Sequence, residues 1–175
     1  MPARAVTPPS TTPRADESRF WQFSLALYAR EHVPETCLRL QDQHGVDVNV
    51  LLYCLFRASE GHRLTAAGIA ALDRQVSSWR AEVVRPLRTI RRVMKEAPLL
   101  TDAGAQARVR DRIKACELEA EQAQQLALER IGASLETTAA EPRLAMVANY
   151  RAYAEALGIT LPHDALATLA GDDAT

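Results

Sequence analysis

The chain has 175 residues, of which 47% are hydrophobic and 25% charged, an ordinary globular composition for a single domain. A formal net charge of −1 gives no global drive toward nucleic acid or an anionic membrane, and the longest apolar run, Val48 to Phe56 broken by Asn49, is far short of the roughly 20 residues a bilayer crossing needs. Cys37, Cys54 and Cys116 are odd in number and lack CxxC spacing, and no secretory signal pattern precedes them, so reduced thiols in a cytoplasm are expected.

Aromatic residues make up only 5% while Ala, Leu, Arg and Glu abound, which favours helices over strands. Residues 2–15 hold Pro2, Pro8, Pro9 and Pro13 among small polar residues and cannot bury enough surface to offset chain entropy. A disordered arm over 1–15 is expected, followed by a helical domain over 16–170 and a frayed tail over 171–175. The first helix carries Phe20, Phe23, Ser24, Leu27 and Tyr28 at three- and four-residue spacing, with Asp16, Glu17 or Ser18 to cap it. Pro34 suits the first turn of a second helix that stops at His44-Gly45, and Asp47 caps a third through Val48, Leu51, Leu52, Leu55 and Phe56, apolar on more than one face and central to the core.

From Leu64-Thr65 a fourth helix presents Ile69, Leu72, Val76, Trp79 and Val83 as a buried stripe. Pro86 interrupts it in phase, so a kink or a stacked restart is expected there, ending by Pro98. A cap at Thr101 or Asp102 opens the longest helix, in which Val109, Ile113, Cys116, Ala120, Ala123, Ala127 and Ile131 form a heptad-like inward seam. Pro142 begins another helix that Gly158 closes, and Pro162 a last short one ending near Gly171. No repeat of solenoid period appears, so the fold class is all-α: a compact single-domain bundle of about six or seven helices, with one long helix and one kinked at proline.

The blocks Phe20-Trp21-Gln22-Phe23-Ser24-Leu25-Ala26-Leu27-Tyr28, Cys37 to Asp42 and Gly45 to Leu52, extended by Trp79-Arg80 and Pro86-Leu87-Arg88, resemble an uncharacterised proteobacterial family, a domain of unknown function. The resemblance implies a small helical cytoplasmic protein and carries over no catalytic residue.

Three constellations bear on chemistry. Gln41 to Asn49 gathers oxygen ligands and His44 at a bend, but the twelfth position from Asp42 is Tyr53 rather than a bidentate Glu, and His32, His44, His62 and His163 are scattered, so neither calcium nor zinc is expected. Helix ends explain most of that cluster. Asn49 is left over: with Tyr53 one turn on, it shares a helix face that either lines a polar pocket near Tyr28 and Asp47 or bonds a neighbouring helix in the core. The third constellation is a basic face, Arg85, Arg88, Arg91, Arg92 and Lys95, which either meets an acidic partner or pairs with the acidic helix carrying Glu117, Glu119, Glu121 and Glu129.

No Gly-x-Ser-x-Gly, Walker or Rossmann spacing is present, and Cys54 and Cys116 read as small core hydrophobes. Nothing anchors a cofactor. Nucleic-acid binding lacks aromatics interleaved with the arginines. The leading expectation is therefore a non-enzymatic cytoplasmic protein that docks a protein partner through the basic face. The alternative is a small-molecule or lipid-metabolism enzyme with an interhelical pocket at Tyr28, Asp47, Asn49 and Tyr53; a convergent polar cavity favours it and a filled core does not.

Overall fold

Helix starts in this chain follow the side chains able to satisfy their free N–H groups. In the computed structural model, which describes residues 18–171, Ser18 caps α1 (Arg19–Tyr28), Asp47 caps α3 (Val48–Ser59), Thr65 caps α4 (Ala66–Trp79) and Asp102 caps α6 (Ala103–Gly132). Proline supplies the first turn of α2 (Val33–His44), α5 (Arg85–Glu96) and α7 (Pro142–Leu157), and Pro162 precedes α8 (His163–Ala170). Gly45, Gly158 and Gly171 end α2, α7 and α8 in left-handed geometry. The arm expected at 1–15 and the tail after Gly171 lie outside the described residues.

Between α4 and α5, residues Arg80–Val84 form a π-helical turn, in which the Arg85 N–H reaches the Arg80 carbonyl. Pro86 gives the reason. It has no N–H to donate, and its ring crowds the carbonyl four residues back, so the ladder widens just before it instead of breaking. Helices α4 and α5 thus run as one continuous rod, and the described residues form seven such rods.

The core lies around α3, where Val50 to Leu55 are all essentially inaccessible to solvent. Phe20, Tyr53 and Phe56 pack ring on ring beside it, with the Phe20 centroid 5.4 Å from each of the others. Helix α7 packs along α3, contributing Tyr150 and Tyr153, and α8 closes the bottom with Ala165, Leu166 and Leu169. Gly132 permits α6 to approach α3 at one end: a Cβ there would run into the Tyr53 ring. Buried Asn149 bonds the Cys54 and His62 carbonyls and the Leu64 N–H, anchoring a two-residue antiparallel pair, His62–Arg63 with Thr138–Ala139, that the pattern of apolar residues does not announce.

Two inward stripes differ from expectation. Ile69, Leu72 and Val76 are buried, but Trp79 is 41% exposed, with its indole N–H donating to the Ala120 carbonyl at 3.0 Å. The π turn takes one more residue per cycle than an α-helix, so the inward positions become Arg80 and Val84 in place of Trp79 and Val83. On α6, Ala120 is buried as expected, but Val109, Cys116 and Ala123 are exposed, and the rest of the buried face carries Gln106, Glu117, Gln124, Gln125, Leu128 and Gly132. A polar inward face cannot be found by apolar periodicity. Cys54, by contrast, is a core residue as expected.

Candidate functional site

The polar inward face of α6 does not meet a filled core. Between it, α1, the α2–α3 bend and α5 lies a cavity of about 510 Å³. The bend contributes Asp42, Asp47 and the start of α3, because Gly45 turns the chain back after α2 and Asp47 at once caps the next helix. The π turn aligns Arg80, Val84, Arg88 and Arg92 along one wall, with Arg85 and Thr89 beside them. Trp21, Leu25 and Tyr28 from α1, Leu52 from α3 and Leu118 from α6 supply apolar lining.

Asp47 organises the floor. Its Oδ1 accepts the Asn49 and Val50 N–H groups at 2.8 and 3.2 Å, while its Oδ2 receives Arg80 at 2.6 Å and the Gln124 amide at 2.7 Å. Its backbone is gripped by the Tyr153 hydroxyl, which accepts from the Asp47 N–H and donates to its carbonyl. Arg80 also binds Asp73 through both terminal nitrogens. Burial alone would ease its proton off, but the bonds to Asp73 and Asp47 outweigh that and hold the guanidinium firmly charged. Since the Gln124 Nε2 is committed to Asp47, its Oε1 is left as a buried acceptor without a protein partner.

A second layer joins α5 to α6. Arg88 reaches Glu117 at 3.0 Å and also Glu121, and Arg91 binds Glu117. Burial pushes the Glu117 carboxyl upward, yet Arg91 and Arg88 together bring it below its ordinary value. Glu121, on the cavity wall, is raised: burial exceeds the pull of Arg88, and the Glu117 charge adds to it. At the outer edge Arg92 donates to both Asp42 oxygens at 2.9 Å, and Gln41 adds a longer bond. Arg85 and Lys95 have no carboxylate partner among the described residues.

Of the residues expected at a pocket, Tyr28, Asp47 and Asn49 do line this cavity. Asn49 also takes the other option, accepting the Gln125 amide at 2.8 Å, while Gln125 accepts the Ser24 hydroxyl. Tyr53 is corrected out of the set. It is fully buried, and its hydroxyl meets Arg57 near Gly132 at the far end of α3's contact with α6. Of the basic face, Arg85, Arg88 and Arg92 line the cavity; Arg91 and Lys95 do not. Arg80, Gln124 and Gln125 are cavity residues missed from sequence, and Glu121 was expected only as part of the acidic helix; Pro86 and the adjacent glutamines inside an amphipathic helix were the available signals.

Among the described residues no helix is long and apolar enough to cross a membrane, and no group of three His, Cys, Asp or Glu side chains is placed to hold a metal ion. A family model described as "Protein of unknown function (DUF2390)" matches residues 19–128, which include every residue lining the cavity. Neither a curated protein nor a solved structure matches the chain.

Proposed function

The chain belongs to the DUF2390 family, and we propose that it is a small-molecule-binding protein whose interhelical cavity takes an amphipathic organic anion. The observation that supports this is the division of one cavity into two chemistries. Trp21, Leu25, Leu52, Val84 and Leu118 offer an apolar body its contacts, while Arg85, Arg92 and Thr89 offer an acid group its donors. A volume of about 510 Å³ suits a molecule of two or three rings.

Binding is favoured over catalysis because the charged groups nearest the floor already serve as supports: Asp47 caps α3, Arg80 bridges Asp47 and Asp73, and Arg88 bridges two glutamates. Docking a protein through the basic face is the weaker reading, since Arg88 and Arg91 turn toward α6 and leave Arg85 and Lys95 as that face's cations without an ion pair among the described residues. The test is titration with 2-anilinonaphthalene-6-sulfonate, which joins a sulfonate to an apolar body and brightens when water is excluded. One saturable site is expected, weakened about tenfold by Arg85→Glu. No saturable binding, or binding indifferent to Arg85, would count against the cavity.

A further inference from the structure

The charges on the cavity wall are unequally committed. Arg80 is fixed between Asp47 and Asp73, and Arg88 between Glu117 and Glu121. Asp47 is in turn immobilised by its cap to α3 and by Gln124. The Asp42–Arg92 pair differs on every count. Its side chains are 41% and 38% exposed, it joins α5 to the last turn of α2, and among the described residues its further support is one bond from Gln41 and the more distant charge of Arg88.

Asp42 is also badly placed by the rules of its own helix. It stands two residues before the end of α2, where the carbonyl ends of the peptide dipoles disfavour a negative charge. Arg92 is what offsets that cost, holding the Asp42 carboxyl below its usual value despite burial acting the other way. After it the chain turns through Gly45, around which there is open space. An exposed pair of this kind contributes little net stability, so exchange of one anion for another on Arg92 is inexpensive.

We propose that Asp42 holds the anion position of this cavity, and that a ligand's carboxylate or sulfonate binds by displacing it from Arg92, with Arg85 as the second cation. This rests on the cavity reading above and narrows it. Of the arginines on the wall, Arg85 alone has no carboxylate partner among the described residues, so the preferred ligand is a monoanion, with Asp42 released to water and to the neighbouring Gln41. Ligand charge and Asp42 then compete for one guanidinium. Affinity is set by the difference between them.

The sign of one substitution tests this. With 2-anilinonaphthalene-6-sulfonate as the probe, Asp42→Asn removes the competitor and is expected to tighten binding about three- to tenfold, while Arg92→Gln weakens it about tenfold. In the Arg92→Gln background the gain from Asp42→Asn should shrink below about twofold, because the contested guanidinium is gone. Unchanged or weaker binding in Asp42→Asn overturns the proposal. So does equal tightening in both backgrounds, which is the signature of general charge removal. If Arg85→Glu still weakens the probe in either of those cases, the cavity reading survives alone; if wild type shows no saturable binding, both fall. Circular dichroism melts establish that each variant is folded, and Asp42→Ser repeats the test with a smaller side chain.

Discussion

The two sides of α3 are built on opposite principles. Toward α7, α8 and Phe20 of α1, its side chains, Tyr53 and Phe56 among them, fill space and exclude water. Toward the π turn and the middle of α6 its Asn49 and its cap Asp47 bond Gln125, Gln124 and Arg80 around a cavity. The first arrangement derives its stability from area removed from water; the second offsets desolvation by pairing nearly every polar atom it buries. A fold that spends its best-packed helix on both tasks uses one face as the foundation of the other.

The contrast gives a graded set of mutational expectations. The largest effect belongs to the packed side: Leu55→Ala leaves a cavity in a site with no exposed edge and should cost about 3–4 kcal/mol in chemical denaturation. A cost below about 1 kcal/mol would mean that this side is as loosely filled as the other. Next comes the α5–α6 seam, where Glu117→Gln unpairs Arg91 and leaves Arg88 with Glu121 alone, at a side chain only 7% exposed, and should cost about 2–3 kcal/mol at neutral pH.

That second variant has a pH signature. The folded Glu117 pKa lies below the 4.5 of the unpaired group, so its contribution is fully present above about pH 4.5 and is lost as pH falls through the folded value. Melting temperatures of wild type and Glu117→Gln should therefore converge on acidification; a constant gap would assign the loss to packing instead of charge. For the same reason Arg88→Glu should destabilise the protein, whereas a freely exposed basic face would tolerate it.

The smallest effect is expected at Trp79. Half-exposed and bonded once, to Ala120, it should cost about 1 kcal/mol on replacement by alanine, well under the 3–5 kcal/mol typical of a buried tryptophan. Thermal or urea unfolding distinguishes the two ranges.

The packed side was legible in the sequence because its signals are periodic and local. Caps at Ser18, Asp47 and Asp102, stops at Gly45 and Gly158, and the α3 run all follow from neighbouring residues. The cavity side was legible only in fragments. Tyr28, Asp47 and Asn49 could be suspected as polar residues left over from the helix pattern, but what they face depends on α6, more than seventy residues later, whose inward positions are glutamines and a glutamate. Extending the stripe from Ile69 at a constant period placed Trp79 inside, because a π turn is invisible to any reading that assumes one helical repeat. The clustered arginines were visible as charge, and the acidic helix as its match, but not that Arg88 and Arg92 would flank a cavity while Arg91 would not.

The central claim, that the polar side of α3 is a ligand site, is tested most directly by methyl-labelled NMR of the full chain during titration with 2-anilinonaphthalene-6-sulfonate. The expected result is saturable shifts, and contacts to probe protons, confined to the methyl groups of Leu25, Leu52, Val84 and Leu118. Shifts centred instead on Leu99, Leu100 and Val109, exposed apolar residues at and near the α5–α6 turn that do not line the cavity, would contradict it and place the probe on the surface.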